Sequence, residues 1–356
     1  MTGNRRRVIQ WATGGVGVAA IRGVVEHPDL QLVGCWVHSP AKNGRDAGEL
    51  AGIGPIGVAA TSSVEEILAA DADAVIYAPL LPDPQQVAAI LRSGKNVITP
   101  VGWFYPRESE AAPLRAAALE GGVTLHGTGI APGGFSDKFL LQLSALSTGI
   151  SFVRAEEFSD LRSYLAPDVL RHVMGFGGAP EEALGGMMQK LLDGGFIQAI
   201  NLVVDELGFA AEPRILGSQQ VAVATAPIDS PIGVIEPGQV AARRFTWEAL
   251  VDGQPVVQVS VNWLMGEQHL DPAWTFGPEG QRYEVEVRGN PDFTFCVKGF
   301  HGEIGPDGEI GEETGITGTA AHCVNSVPAV CAAAPGIATH RDLPLLTGKA
   351  APSLSR

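Results

Sequence analysis

The sequence of 356 residues has few of the features that mark secreted, membrane or metal-binding proteins. Its four cysteines (Cys35, Cys296, Cys323 and Cys331) lie far apart and form no CxxC pair, a pattern typical of reduced thiols. No apolar run approaches the roughly 18 residues that a membrane-spanning helix needs. The basic start leads directly into a predicted strand, so no signal peptide is predicted. We therefore expect a cytoplasmic protein that does not associate with a membrane.

Positive charge is also scarce, because 24 lysines and arginines stand against 39 aspartates and glutamates, for a net charge of −15. Such a surface repels nucleic acid and anionic lipid, so neither is expected as a partner. The sequence contains no HExxH motif, nucleophile elbow, Walker loop or cluster with metal-ligand spacing. No metal is expected. The 45% hydrophobic content is that of an ordinary globular protein, and the length suits two domains.

The first part of the chain alternates apolar strands with helices. Strands are predicted over Val8–Ala12, Leu30–Val37, Ala74–Ala78, Asn96–Thr99 and Val123–Gly127. The sequence Ser63-Val64-Glu65-Glu66 predicts a capping box at the start of one of the helices between them. Strands separated by helices predict an α/β domain with a Rossmann-type, doubly wound parallel sheet.

The pattern changes after Pro132. A helical stretch over Glu181–Leu207 is expected to be interrupted at Gly185-Gly186 and at Gly194-Gly195, and long strands follow. These features predict a second, α+β domain with a mostly antiparallel open sheet. A helix over Thr319–Val330 is expected to return to the first domain. We therefore predict a dinucleotide-binding domain formed by residues 1–132 with 319–356, and a substrate-binding and oligomerisation domain formed by residues 133–318.

A glycine-rich loop follows the first predicted strand. It reads Ala12-Thr13-Gly14-Gly15-Val16-Gly17 and leads into a helix, which is the dinucleotide fingerprint with alanine at its first glycine. Gly14 lets the backbone approach a pyrophosphate, Gly17 lets helix and strand pack closely, and the helix N-terminus offers N–H groups to phosphate. The loop predicts dinucleotide binding, and a purely structural turn is the alternative.

The end of the second predicted strand bears on the choice of dinucleotide. Enzymes that use NAD place a carboxylate there for the ribose hydroxyls. This chain has no acid at positions 36–39 and offers instead His38, Ser39, Lys42 and Arg45. Hydroxyl, imidazole and cationic groups suit a 2′-phosphate, so NADP(H) is favoured, with NAD possible. The alternative is that the two cations are solvated loop charges.

Three stretches that together span nearly the whole chain carry a family resemblance. They are Trp11–Gly17, the run Gly127-Thr128-Gly129-Ile130-Ala131-Pro132-Gly133, and the C-terminal Val324-Asn325-Ser326-Val327-Pro328 with Ala334-Pro335-Gly336 and Asp342-Leu343-Pro344. They resemble the dihydrodipicolinate reductase-like superfamily, and within it the branch of 2,4-diaminopentanoate dehydrogenases and native NAD(P)-dependent amine dehydrogenases. The resemblance implies a Rossmann domain completed by the C-terminal helix, an interdomain cleft, and an open sheet that forms the interface of a homodimer. It also implies that the cofactor is bordered by Pro79, Leu80, Thr99, Pro100, Gly127, Thr128, Gly129 and Asn325.

The chain departs from these relatives at positions that bear on chemistry. The stretch Glu157–Arg162 lacks the paired histidines of dihydrodipicolinate reductases, so that reaction is not expected. Amine dehydrogenases of this branch carry a glutamate after the fourth strand, where this chain has Gly102, and an asparagine where it has Ala131. No catalytic residue is identified, and the candidates for proton transfer are Glu157 and Tyr164. An apolar substrate pocket is suggested by Gly102, Trp103, Phe135, Tyr164, Met174 and Phe176, although packing in a core is the alternative for its aromatic members.

These observations support one leading function and two alternatives. We expect an NAD(P)H-dependent amine dehydrogenase that aminates a small apolar ketone or aldehyde with ammonia, or runs the reverse deamination. A carbonyl or enoyl reductase, with Tyr164 or water giving the proton, is the first alternative. A dinucleotide-binding protein without catalysis is the second.

Overall fold

The computed structural model describes residues 5–164, 166–212, 214–302, 311 and 314–354. The parts of the predicted domains at residues 1–4, 165, 213, 303–310, 312, 313, 355 and 356 lie outside the described residues. The chain forms two compact units, Met1–Gly133 with Ile316–Arg356 and Gly134–Gly315. We refer to them as the first and the second unit. Among helices of the described residues, none has the length and apolar character needed to cross a membrane.

The strands are β1 (Arg6–Trp11), β2 (Leu30–Trp36), β3 (Ala60–Thr61), β4 (Ala74–Tyr77), β5 (Asn96–Thr99), β6 (Thr124–Gly127), β7 (Thr148–Asp160), β8 (Leu216–Ala224), β9 (Ile228–Ser230), β10 (Gly233–Ile235), β11 (Val240–Val251), β12 (Gln254–Leu264), β13 (Leu270–Asp271), β14 (Arg282–Asn290), β15 (Phe293–Val297) and β16 (Gly336–Ile337). The α-helices are α1 (Gly15–Glu26), α2 (Ala47–Leu50), α3 (Val64–Ala69), α4 (Pro84–Arg92), α5 (Glu108–Gly121), α6 (Lys138–Ser144), α7 (Pro167–His172), α8 (Pro180–Gly185), α9 (Met188–Leu207) and α10 (Gly315–Val330). Short 3₁₀ helices span Pro40–Lys42, Leu161–Ser163 and Pro352–Leu354.

The first unit contains a seven-stranded sheet in the order β16-β6-β5-β4-β1-β2-β3, and all its strand pairs are parallel. Both faces are buried. On one face, Ile21 of α1 and Val324 of α10 pack in one apolar cluster, and on the other face Ile90 of α4 and Leu114 of α5 pack in a second. Each fully buried aliphatic side chain of this kind contributes roughly 2 kcal/mol to stability. The predicted Rossmann-type parallel sheet is confirmed.

Helices α3 and α4 of the first unit begin at side-chain caps. Ser63 Oγ accepts a hydrogen bond from the Glu66 N–H at 3.1 Å, as the capping box predicts, and α3 starts at Val64. The Asp83 carboxylate caps α4 by accepting from the N–H groups of Gln85 and Gln86. These caps satisfy backbone donors at the helix starts that have no partner within the helix.

The second unit contains another seven-stranded sheet, in the order β13-β8-β11-β12-β7-β14-β15. The pair β12–β7 is parallel and the other pairs are antiparallel. The prediction of a mostly antiparallel open sheet is therefore confirmed. A separate hairpin pairs β9 with β10.

Helix α9 packs against this sheet through an aromatic contact. Phe196 stacks on Trp247 of β11 with ring centroids 4.5 Å apart, and the Trp247 indole N–H donates to Asp193 Oδ1 at 2.7 Å. These contacts lie on either side of Gly194-Gly195, and the helix continues through both glycines. The predicted interruption there is wrong, because packing outweighs the low helix propensity of two glycines. The interruption at Gly185-Gly186 is confirmed, since α8 ends at Gly185 and Gly186 is extended.

Candidate functional site

The loop after β1 adopts a conformation that its alanine makes costly. Ala12 has φ +72°, in the left-handed region that glycine occupies without penalty. The buried Gln10 side chain secures this conformation, because its Nε2 donates to the carbonyl oxygens of Trp11 and Ala12 at 3.0 Å each. The Ala12 N–H donates to the Trp36 carbonyl oxygen at 2.9 Å. The loop is thus fixed to the ends of both strands.

The glycines of the loop show how a phosphate can approach it. A Cβ atom at Gly17 would lie 2.1 Å from the Ala12 carbonyl oxygen, so only glycine lets α1 pack this closely. Among the described residues, nothing lies within 4 Å of a Cβ atom built at Gly14, and no side chain caps α1, which begins at Gly15. A Cβ atom at Gly15 would lie 3.1 Å from the Ile316 side chain, and Val16 packs against the apolar cluster of the first unit. The exposed loop and the uncapped helix start fit a dinucleotide pyrophosphate.

The candidate residues for the ribose phosphate lie beyond β2. Trp36, its last residue, is buried and stacks on Trp11 with ring centroids 4.5 Å apart. His38 is exposed and lies edge-on to Trp36. Lys42 Nζ donates to Thr13 Oγ1 at 3.0 Å and to the Thr13 carbonyl oxygen at 3.1 Å. The structure therefore brings one predicted cation to the nucleotide loop, while Arg45 is exposed and Ser39 half-buried at the same segment.

Further predicted cofactor residues lie at the carboxyl ends of β4 and β5. Leu80 is 67% exposed, an unusual environment for leucine, and follows the half-buried Pro79. Thr99 is fully buried, and its Oγ1 accepts from the Val101 N–H at 3.2 Å. This bond turns the chain at Pro100. All four predicted residues thus lie at the sheet edge where parallel α/β folds bind their ligands.

Strand β6 ends in the predicted run of Gly127, Thr128 and Gly129. A Cβ atom at Gly127 would lie 2.3 Å from the Gly102 carbonyl oxygen, so the segment after β5 presses against this run. His322 of α10 reaches the same run, with Nδ1 2.6 Å from the Gly129 carbonyl oxygen. Asn325, one turn further along α10, is half-buried.

Gly102 and Trp103 were predicted to line a substrate pocket. A Cβ atom at Gly102 would meet nothing within 4 Å, but φ is +156°, a value that residues with side chains rarely adopt. Trp103 is 7% exposed and packs in the apolar cluster that contains Trp11 and Leu114. Its surroundings within the first unit are those of a core residue.

Glu157 lies on β7 of the second unit, on the same side of the strand as the buried Val153 and Ala155. Its Oε1 accepts hydrogen bonds from Ser159 Oγ at 2.6 Å and from the Trp263 indole N–H at 3.1 Å. The neighbouring Glu156 points to the opposite face, where it pairs with Arg154 at 3.0 Å. Glu157 is therefore a carboxylate held in place by two donors.

The other predicted pocket residues of the second unit are mostly buried. Phe135 stacks on Tyr283 with ring centroids 4.7 Å apart, and Met174 and Phe176 are 4% and 0% exposed. The buried Arg243 donates to the Met174 carbonyl oxygen, and burial lowers the pKa of this guanidinium to about 10. Tyr164 is half-buried after the 3₁₀ helix Leu161–Ser163. Phe135 also contacts the rings of Phe139 and Phe300, while Met174 and Phe176 follow each other closely in the chain after α7.

Two residues that contact the predicted cofactor loops were missed by sequence reasoning. Gln10 is a polar residue inside the apolar strand β1, which could have indicated a role in the loop that follows. His322 lies three residues before Asn325 and so on the same side of a helix, a spacing that could have linked them. Among the described residues, no group of three or more His, Cys, Asp and Glu side chains could hold a metal ion. A cavity of ≈ 520 Å³ beside β2 and β3, lined by Cys35, Thr61 and Glu66 among others, includes none of the predicted site residues.

The sequence matches two family models: "Dihydrodipicolinate reductase, N-terminus" over residues 7–79 and "2,4-diaminopentanoate dehydrogenase C-terminal domain" over residues 135–352. It is 30% identical over 364 residues to an amine dehydrogenase of Streptomyces virginiae, covering 95% of this chain and 96% of that protein. It is 26% identical over 246 residues to a 2,4-diaminopentanoate dehydrogenase of Acetoanaerobium sticklandii, covering 68% of this chain and 64% of that protein. The solved structure of an amine dehydrogenase from Mycobacterium smegmatis shares the fold, with a TM-score of 0.77 at 22% identity and 98% of each chain covered.

The Rossmann sheet, the glycine loop and these relatives define a dinucleotide-dependent oxidoreductase. The chain belongs to the family of amine dehydrogenases and 2,4-diaminopentanoate dehydrogenases. The resemblance predicted from the sequence is thereby confirmed, and the alternative of a dinucleotide-binding protein without catalysis is not supported by the relatives.

Proposed function

We propose that this oxidoreductase uses NADP(H) to interconvert a small apolar amine with its ketone or aldehyde, and that Glu157 acts as the general acid–base that accepts and returns the proton. The cofactor, when bound, supplies or accepts the hydride. The main support is the Glu157 carboxylate, which accepts hydrogen bonds from Ser159 and Trp263. It lies on the face of β7 that also holds the buried Val153 and Ala155.

Binding of the cofactor is assigned to the first unit. Gly14, Gly15 and the start of α1 would hold the pyrophosphate, because their N–H groups are not capped by a side chain. Lys42, with His38, Ser39 and Arg45 in the same segment, would favour a 2′-phosphate. Cationic and hydroxyl groups donate strong hydrogen bonds to phosphate oxygens. The absence of an acid at positions 36–39 supports NADP(H) over NAD.

Amine chemistry needs a base for ammonia and a negative charge beside the protonated imine. The carboxylate of Glu157 meets both needs. Its Oε1 accepts one hydrogen bond from the Ser159 hydroxyl and one from the Trp263 indole N–H. Both donors also fix its orientation, which lowers the entropy lost on engaging the substrate.

Gly102 is a poor place for such a group. Space is open around it, but its φ of +156° makes any side chain there strained. A glutamate at position 102 would therefore shift the backbone that presses on Gly127. This is the physical reason to assign the carboxylate role to Glu157.

The proposal is tested with the isosteric change Glu157→Gln. Ammonia-dependent NADPH oxidation should fall by roughly 10²- to 10⁴-fold, the usual contribution of a general acid–base group. Glu236→Gln is the control, because Glu236 is an exposed glutamate of the same unit and its replacement should leave turnover within about threefold. Equal loss in both variants, or no loss in Glu157→Gln, would contradict the assignment.

A carbonyl or enoyl reductase is the second candidate. It is favoured by the lack of a carboxylate at Gly102 and by the buried apolar Trp103 beside it. In that reaction Tyr164 or water would give the proton to a neutral oxygen or carbon.

We also propose that the enzyme is a cytoplasmic homodimer. The dimer rests on the family resemblance of the sequence, which implies that the open sheet of the second unit forms a homodimer interface. Sedimentation velocity should report twice the chain mass of 37.2 kDa. A species with the mass of one chain at micromolar concentration would exclude the dimer.

A further inference from the structure

Three histidines meet in the first unit, and the proposed function uses none of them. His126 lies on β6, His322 on α10 and His340 after β16. The rings of His322 and His340 are nearly parallel, at 9° with centroids 5.9 Å apart, and His126 lies edge-on to His340 at 5.1 Å. Imidazole packing therefore holds the ring of His322 from one side.

The position of His322 follows from the packing of α10. Val324 and Val327 of this helix are buried in the apolar cluster of the first unit, which fixes the rotation of the helix about its axis. The Ser326 hydroxyl donates to the His322 carbonyl oxygen at 2.7 Å. The His322 ring consequently faces the run that ends β6, where a Cβ atom at Gly129 would lie 3.7 Å from Thr319 of the same helix.

The hydrogen on His322 Nδ1 can be assigned from its partners. Nδ1 lies 2.6 Å from the Gly129 carbonyl oxygen and 3.2 Å from Thr128 Oγ1. A carbonyl oxygen can only accept, so Nδ1 carries a hydrogen and donates it. That nitrogen then has no lone pair for the hydroxyl hydrogen of Thr128. The Thr128 oxygen therefore accepts in this contact.

We propose that His322 is a positioning residue for the dinucleotide: its Nδ1–H donates to the Gly129 carbonyl oxygen and so fixes the Thr128–Gly129 backbone at the end of β6. This inference rests on the proposed function, in which Gly127, Thr128 and Gly129 border the cofactor. It assigns to the returning helix a role in cofactor geometry in addition to its role in covering the sheet.

The test compares His322→Asn with His322→Leu. Asparagine and leucine have nearly the same shape, but only asparagine can place an N–H near the position of Nδ1. The dissociation constant for NADPH is measured by calorimetry without substrate, followed by kcat and KM. The Leu variant should bind NADPH about tenfold more weakly, as expected for a buried carbonyl left without its donor, and the Asn variant should bind within about threefold of the wild type. His172→Leu, at an exposed position on α7, is the control.

The outcomes separate this inference from the proposed function. If the wild type binds neither NADPH nor NADH, the proposed function fails. If the wild type binds NADPH and the Asn and Leu variants bind it equally, the inference alone is overturned. Should the Leu variant not fold, His322→Gln replaces it, because the glutamine amide lies one methylene beyond the Nδ1 position. The Gln variant should bind as weakly as expected for Leu, and wild-type affinity in it would overturn the inference.

Discussion

Lys42 Nζ lies 3.0 Å from Thr13 Oγ1, so a residue of the segment after β2 is joined to the nucleotide loop after β1. The two residues are 29 positions apart in sequence. The contact places a positive charge beside the loop, at the end of the sheet where the cofactor is proposed to bind. It is the structural basis for expecting a preference for the phosphorylated dinucleotide.

The first prediction concerns this preference. The wild type should bind NADPH about tenfold more tightly than NADH, a difference of about 1.4 kcal/mol. Lys42→Met should bring the affinities for NADPH and NADH close to each other, because it deletes the positive charge that would face the 2′-phosphate. Lys298→Met, which breaks only an exposed ion pair with Glu279, is the control. Calorimetric titrations in which the wild type binds NADH and NADPH with equal affinity would contradict the preference.

Ser39→Asp offers a gain-of-function version of the same experiment. A carboxylate at the end of β2 repels a 2′-phosphate and accepts hydrogen bonds from the free ribose hydroxyls. The variant should therefore bind NADH more tightly than NADPH. Retention of the NADPH preference would mean that position 39 does not face the ribose.

The second prediction uses two glycines of one loop. Gly17→Ala should destabilise the protein without any ligand, because the added methyl group would lie 2.1 Å from the Ala12 carbonyl oxygen. Gly14→Ala should leave the thermal midpoint unchanged, since its added methyl group meets nothing, and yet weaken dinucleotide binding by obstructing the phosphate. Thermal unfolding and calorimetric titration of both variants check this. Unaltered dinucleotide affinity in Gly14→Ala would argue against a phosphate at this loop.

The third prediction concerns acid stability. His301 is 7% exposed, neither of its ring nitrogens has a hydrogen-bond partner among the described residues, and burial lowers its pKa from 6.5 to about 4. Below pH 6.5 the unfolded chain binds a proton that the folded chain excludes, so the stability is complete above pH 6.5 and falls as the pH drops towards 4. Between pH 6.5 and 5 the loss from this residue is about 2 kcal/mol.

The variant His301→Phe should lack this loss, because phenylalanine can retain the ring contact with Tyr283 and does not titrate. Urea unfolding at pH 7 and pH 5 measures the difference. The exposed His172, changed to Phe, should leave the pH dependence as in the wild type. If His301→Phe loses as much stability at pH 5 as the wild type, the buried imidazole is not the cause.

Sequence patterns predicted the elements that have strong local signals. The apolar runs of β1, β2, β4, β5 and β6 and the capping box at Ser63 were found because both depend on neighbouring residues. The strands β3 and β16 were missed, since two residues carry no periodicity, and they extend the sheet only through pairing with β2 and β6. The continuity of α9 through Gly194-Gly195 was missed for a similar reason: it depends on Trp247, which is distant in sequence.

The candidate site likewise combines a motif that is local in sequence with contacts between residues that are distant in sequence. The glycine loop is a local motif, so its residues could be found from spacing alone. The contact of Lys42 with Thr13, the donors that fix Glu157 and the contact of His322 with Gly129 all join residues that only the folded chain brings together. Sequence reasoning could name Glu157 as a candidate, but the role of Trp263 as its donor depends on strand register.

The proposed reaction is the reduction of a C=N bond. It is tested most directly by following NADPH oxidation with a panel of small apolar ketones, with and without ammonium, and identifying the product. We expect that NADPH oxidation requires ammonium and yields the amine. Equal NADPH oxidation without any amine, with release of the alcohol, would contradict it and establish the carbonyl reductase instead.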